Sequence, residues 1–169
     1  MPTVTELLLA ELEREGAGTR RTLERVPEGR NDWKPHEKSM DLGYLSGLLA
    51  TMPAWIKAIV RQDSLDLAKP GEFQSKPFET NRELLAAFDH AMAEAREALE
   101  GAADEHLMTT SWQLKVQGQV VSEDQRYIAI RDSVLNHLVH HRAQLTVYLR
   151  LNDIPVPSLY GPSADEKTF

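Results

Sequence analysis

Two histidines, His137 and His141, stand one helical turn apart in the stretch L-N-H-L-V-H-H-R-A-Q-L-T-V-Y-L-R, which runs from Leu135 to Arg150. Side chains four residues apart on a helix project from the same face, offset by roughly 40°, so two imidazole nitrogens can converge on one ion. Ile130, Val134, Leu138, Leu145, Tyr148 and Leu149 recur at helical spacing around them. The imidazoles therefore fall inside an apolar stripe. Burying them costs free energy unless a metal or a hydrogen-bond partner satisfies the ring nitrogens. Two readings follow from the residues: a metal site, or a polar pair satisfied by each other, by Tyr or Ser hydroxyls, or by buried water.

The other chemistry-bearing residues are weaker candidates. His140 lies about 100° around the helix from His141 and is expected to face a neighbouring element or solvent. His90 falls off the Phe88/Met92 stripe, and His106 reads as part of a connection. His36 and Glu37, before the second helix, are the nearest substitutes for a further metal ligand. Trp33, Trp55 and Trp112 are expected as core or interface anchors rather than a ligand cage. Glu123-Asp124 reads as helix-start charge and Asp165-Glu166 as a solvated end. Arg142 is expected in a structural ion pair. No Ser-His-Asp arrangement, phosphate-binding glycine loop, CxxC element or clear carboxylate pair occurs.

Four segments carry a helical period and must position these residues. In the first, Val4, Leu8, Leu12, Gly16, Thr19, Leu23 and Val26 step by three or four, and Pro27 closes it. The second starts near Ser39 or Asp41 and buries Leu42, Leu45, Leu48, Leu49, Met52, Ile56 and Ile59, with a kink or break at Pro53. Residues Gln62 to Glu79 read as a loop. A capping box, Thr80-Asn81-Arg82-Glu83, opens the third helix, which buries Leu84, Leu85, Phe88, Met92, Ala95 and Leu99 and ends at Gly101. Trp112, Leu114 and Val116 then alternate, Gly118 interrupts, and Val120 and Val121 follow, so a short extended or hairpin-like excursion is expected. The fourth helix runs from about Glu123 to Leu151. Four amphipathic helices joined by medium loops describe a helical bundle.

The 169 residues suffice for a single domain, 1–169, with a substantial core. A net charge of −7, from 19 basic and 26 acidic residues, and the lack of a basic stripe argue against nucleic acid as a partner. The chain has no cysteine, which removes disulfides, zinc-thiolate sites and cysteine nucleophiles. The N-terminal stretch is interrupted by acids where a signal peptide needs an apolar core. Apolar runs read as too short for a membrane span, and a cytoplasmic location is the expectation.

Three separated motifs carry a resemblance. V-P-E-G-R-N-D-W-K-P-H-E-K-S-M-D-L-G-Y-L (Val26 to Leu45), N-H-L-V-H-H-R-A-Q-L-T-V-Y-L-R (Asn136 to Arg150) and Y-G-P-S-A-D-E (Tyr160 to Glu166) resemble the DinB-like family, in the expected order and over most of the chain. The resemblance implies an all-α fold, an up-down-down-up four-helix bundle with the extended excursion before its last helix, and a homodimer. It also implies a metal-dependent, stress-associated enzyme of the thiol transferase or hydrolase-like kind. Such an enzyme takes a divalent metal (zinc or nickel) on three histidines, a small-molecule substrate and a low-molecular-weight thiol. The fourth-helix ligands fall on His137 and His141. The remaining ligand belongs to a second-helix pattern, L-G-x-L-x-x-H-x-A, and here that stretch reads Leu42-Gly43-Tyr44-Leu45-Ser46-Gly47-Leu48-Leu49-Ala50. The ligand position is Leu48, and an alkyl side chain cannot coordinate. That substitution favours the satisfied polar pair over a complete metal site; the leading reading is a metal-dependent DinB-like enzyme with a degenerate site, and the alternative is a non-catalytic dimeric stress-associated bundle or small-ligand-binding protein. Residues of the Trp33 to Ser39 loop are expected to rim the pocket.

Overall fold

The computed structural model describes residues 1–68 and 75–167. Helix α1 (Val4–Leu23) starts at a capping box: Thr3 Oγ1 accepts from Glu6 N, and Glu6 Oε2 accepts from Thr3 N at 2.8 Å. Asp104, far along the chain, takes Val4 N at 2.9 Å and Thr5 N at 3.0 Å, so α1's leading N–H groups are satisfied by tertiary structure.

Helix α2 (Leu42–Thr51) has Asp41 at its N-cap position, and Pro53 turns Met52–Ala54 into a 3₁₀ segment before α3 (Trp55–Arg61). The break is the one expected where proline lacks a backbone donor. Leu42–Arg61 is nevertheless long and apolar enough, by composition, to cross a membrane, which corrects the expectation that every apolar run is too short. It is 78% buried inside the fold and acts as a core element. Helix α4 (Asn81–Glu100) opens at the Thr80/Glu83 box and closes at Gly101, as its sequence signals indicate. It packs on α1, α2 and α3. The short helix α5 (Asp104–Thr109) carries His106, a correction to its reading as a connection.

The fold is mostly helical but not all-α, because a three-stranded sheet stands beside the helices. Strands β2 (Ser111–Val116) and β3 (Gln119–Gln125) form the antiparallel hairpin anticipated from the alternation, turning at Gln117 (φ 52°) and Gly118 (φ 78°). Strand β1 (Ser64–Asp66) pairs parallel with β2, within a stretch whose sequence reads as loop. Three residues are too few to show a period. What holds them is the ladder, together with Asp66, whose carboxylate accepts from Gln117 N (3.0 Å) and Gly118 N (2.7 Å) at the hairpin turn.

The last helical run begins at Arg126, not Glu123. Residues through Gln125 pair with β2, so Glu123 and Asp124 are strand residues rather than helix-start charge. The run comprises α6 (Arg126–Ile130), a π-helical segment (Arg131–Asn136) and α7 (His137–Leu151). Arg126 is buried and ties this junction to the end of α3 and to the residues after α3 and α5: it donates to Ile59 O, its Nε donates to Thr110 Oγ1 at 2.8 Å and its Nη2 to Asp63 Oδ1 at 2.9 Å. Helix α7 packs on α1 and α2, and Ile130, Val134, Leu138, Leu145, Tyr148 and Leu149 are all buried.

The end after α7 is fastened by its acids: Asp165 is exposed, as a solvated end would have it, and Glu166 half-buried, but both are paired. Glu166 takes Arg21 Nη2 at 2.7 Å, Ser158 N at 2.9 Å and the Arg25 guanidinium; Asp165 takes Val156 N at 2.8 Å and the Arg150 guanidinium.

Candidate functional site

His137 and His141 converge. Their Nε2 atoms lie 2.8 Å apart, with ring centroids separated by 4.5 Å. His141 is buried and His137 half-buried, and both face a cleft of about 510 Å³ whose opposite wall includes Leu48 of α2. The volume lies in the range of small-molecule sites.

Each ring is oriented through its other nitrogen. His141 Nδ1 donates to Gln144 Oε1 at 2.8 Å, and the Gln144 amide donates to His140 Nε2 at 3.1 Å. His137 Nδ1 lies 3.3 Å from the Ser133 carbonyl. The π-helical segment contributes here, since the His137 backbone N–H turns to Val134 O and leaves the Ser133 oxygen facing the imidazole. Gln144 Oε1 and the Ser133 carbonyl can only accept, so in the neutral rings both Nδ1 atoms carry the proton and both Nε2 lone pairs point into the 2.8 Å gap between them. Burial is the main cause holding both imidazoles below the ordinary range, against the opposing Gln144 and Ser133 contacts. Burial thus favours the neutral form of both rings, whose Nε2 lone pairs face one another.

Its remaining wall is apolar and aromatic. Trp55 stands edge-on to His137 at 6.1 Å between centroids, and Tyr44, Met40 and Leu67 complete the mouth with Ser75. Met40 is held by its carbonyl, which accepts from the Tyr148 hydroxyl at 3.0 Å. Ser75 is held by a close backbone approach: a Cβ added at Gly47 would stand 2.1 Å from Lys76 O, so only glycine lets the 75–77 segment lie on α2. Met40 and Tyr44 take the rim position anticipated for the Trp33 to Ser39 loop, and Trp33 packs on Tyr148 instead, 5.4 Å between centroids. Trp55, read as a core anchor, is buried and also lines the cleft. Its position on the helix after Pro53, facing the same core as Leu48, is the signal that could have found it.

The donor set is short of a metal centre. Among the described residues no three His, Cys, Asp or Glu side chains form a group able to hold a metal. His36 is exposed and its Nδ1 accepts from Lys38 N at 3.1 Å; Glu37 is exposed as well. Both Nδ1 atoms face acceptors, as ligand imidazoles require, but a catalytic zinc takes three protein ligands and Leu48 stands at the third position. The residues do not fit a complete catalytic metal set.

Of the other histidines, His140 is exposed beside the pair, its ring centroid 5.0 Å from that of His141, while His90 is exposed on α4 and His106 Nε2 lies 3.1 Å from Val60 O in a structural contact. Arg142 makes the expected structural pair: fully buried, it donates to Glu15 Oε2 at 2.7 Å, to Glu15 O at 2.9 Å, and to the Tyr160 hydroxyl.

A mostly helical fold with a small sheet, a paired-imidazole cleft between its last helix and its second, and a tail clamped to the first helix is the class these observations define. The DinB family model matches residues 1–168, and the chain belongs to the DinB family. Among solved structures it is similar to a DinB-like protein from Bacillus subtilis, at 15% identity and a TM-score of 0.68 over 96% of this chain and 99% of that one. It is also similar to a DinB-like protein from Bacillus cereus, at 19% identity and 0.65 over 90% and 95%. A candidate DinB-family member from Exiguobacterium sibiricum gives 20% identity and 0.68 over 94% and 97%. At these identities the likeness is one of fold. No curated protein matches the chain.

Proposed function

We propose that the cleft between His137, His141 and Leu48 is a small-molecule site derived from a metal-dependent DinB-type centre and reduced to two imidazole donors. The observation that carries the reading is the convergence of both Nε2 atoms opposite an alkyl side chain. A full three-histidine set would support thiol transfer or hydrolysis, because a bound divalent ion lowers the pKa of a coordinated water or thiol. With Leu48 in place, the pair offers two imidazole nitrogens in an apolar cleft without a third donor opposite, which favours non-catalytic binding of a small molecule over metal-dependent catalysis.

The wider reading is a single domain over residues 1–169, with α1, α2–α3, α4 and α6–α7 as an up-down-down-up four-helix bundle. One continuous hydrophobic cluster and the packing of α4 and α7 on the other two helical segments support it. A homodimer and a cytoplasmic, stress-associated role accompany it as proposals from the family resemblance. The deciding experiment is the metal content of untagged protein purified without added metal. Substoichiometric zinc and nickel is the expected result. One tightly held ion per chain would show that another donor has replaced the missing histidine.

A further inference from the structure

Two lone pairs meet in the cleft with no proton between them. The Ser133 carbonyl and Gln144 Oε1 take the Nδ1 protons, and Gln144 is kept that way round by its NH2 group, which donates to His140 Nε2 at 3.1 Å. Both Nε2 atoms are therefore acceptors, 2.8 Å apart. Such a contact is repulsive, so parting the rings to admit a donor breaks no hydrogen bond. His137 is the less buried ring and its Ser133 contact is the longer at 3.3 Å, so it is the ring that gives way. A carboxylate brings further lone pairs and meets no donor. A hydroxyl has one proton and matches one ring. A primary ammonium carries three N–H groups on one nitrogen and serves both, and a hydrogen bond from a charged donor is roughly twice as strong as a neutral one. The rest of the lining suits the same group. With both rings neutral, none of the described residues around the cleft carries a formal charge, so no lysine or arginine opposes a cation there. Tyr44 and Trp55 supply aromatic rings that attract an ammonium, and Leu48, Met40 and Leu67 offer apolar surface to the body attached to it. The chain's net charge of −7 adds a long-range attraction for cations.

We infer that the cleft binds primary organic ammonium ions with an apolar, ring-bearing body, the ammonium donating to both His137 Nε2 and His141 Nε2. This rests on the cleft being a small-molecule site and names the class of molecule it takes.

The probes share a phenethyl body and differ at its end: phenethylammonium, propylbenzene, phenylpropionate and phenethyltrimethylammonium, which keeps the charge but has no N–H. Each is titrated at pH 7.5 into the full chain freed of metal by chelation. Calorimetry reads affinity and nitrogen NMR reads the ring atoms. The expected result is that phenethylammonium binds at least ~10-fold more tightly than propylbenzene, the order of one hydrogen bond from a charged donor. It should also bind more tightly than the trimethyl compound and than phenylpropionate. The His137 and His141 Nε2 signals should both shift with the primary ammonium and stay in place with propylbenzene. His137→Phe and His141→Phe each keep a packed ring and remove one acceptor, so each should retain propylbenzene binding, which reports an intact cleft, and lose most of the preference for the ammonium. Equal binding of phenethylammonium and propylbenzene, or tighter binding of phenylpropionate, overturns the ammonium inference while leaving the cleft reading in place. Binding of the trimethyl compound as tightly as the primary one overturns the assignment of the imidazole nitrogens as its acceptors. Binding of none of the four overturns both the inference and the cleft reading.

Discussion

At residue 48 a single side chain separates two kinds of site. Leu48 is 7% exposed and faces the imidazoles across the cleft, so Leu48→His would put a third ring nitrogen toward Nε2 atoms that already converge. Zinc or nickel affinity should rise by more than the roughly 10–100-fold associated with an outer-shell partner. Without metal the variant should lose about 1–3 kcal/mol, through lost apolar burial and an unmatched ring, and saturating metal should return much of it. Titration and thermal melting with and without metal measure both effects; unchanged affinity would remove Leu48 from the ligand geometry. The pair's own titration gives a second expectation. Burial lowers both folded-state values below that of an unfolded histidine near 6.5. The unfolded chain therefore binds more protons just below that pH, so the pair's contribution is full above about pH 6.5 and declines as the pH falls. Relative to a His137→Gln/His141→Gln variant, denaturant stability should drop from pH 7 to pH 5, and a flat difference would mean the rings are not held neutral. At this scale the sequence was legible where spacing set geometry, as for His137 and His141. It was illegible where the partner is a backbone atom, such as the Ser133 carbonyl, or a residue whose role depends on its rotamer, such as Gln144.

Between elements, the decisive contacts are close approaches that no periodicity records. The apolar steps of α1, α2–α3, α4 and α7 were readable because each buries one stripe in a shared core. Strand β1 was not, because a three-residue strand takes its conformation from β2 rather than from its own pattern. The start of the last helix was misplaced for the same reason: Glu123 and Asp124 are good first-turn residues, yet the ladder to Gln113 and Trp112 holds them extended. Gly47 shows how such a contact shapes the cleft. Gly47→Ala would place a methyl 2.1 Å from the Lys76 carbonyl, a backbone atom that moves only with its segment. The expected cost is about 1–3 kcal/mol, seen as a lower urea midpoint. Because Ser75 donates to Tyr44 O at 3.3 Å, amide signals of Tyr44 and Ser75 should shift as well. A variant with unchanged midpoint and unchanged signals would show that the 75–77 segment does not bear on α2 in solution.

For the molecule as a whole, tryptophans supply little of the surface that a homodimer needs. Trp55 and Trp112 belong to the core and Trp33 is half-buried on Tyr148, so an interface would draw on the outward face of α7, where Val147 and Leu151 are each 56% exposed. Sedimentation at about tens of micromolar should show a dimer that Val147→Asp/Leu151→Asp dissociates, and a monomeric parent would contradict it. The tail poses the other whole-molecule question, because its acids join sequence ends that the helical period treats separately. Ser158 N donates to the Glu166 carboxylate and Arg25 pairs with it, and these contacts hold its pKa down to about 2, Ser158 contributing most. An unfolded glutamate titrates near 4.3. Between those values the unfolded chain binds the extra proton, so the stabilisation by Glu166 is complete above about pH 4.3, declines as the carboxylate is protonated, and is lost as the pH falls through about 2. Glu166→Gln keeps the side chain's size and removes its charge, so the parent should exceed the variant by a constant margin at neutral pH that closes on acidification. Hydrogen exchange at Ser158 N locates the effect: that amide donates to Glu166 at 2.9 Å and should exchange faster in the variant at neutral pH. A stability margin independent of pH from 7 to 2, with Ser158 exchange unchanged, would mean that the tail is not fastened to α1 through this carboxylate.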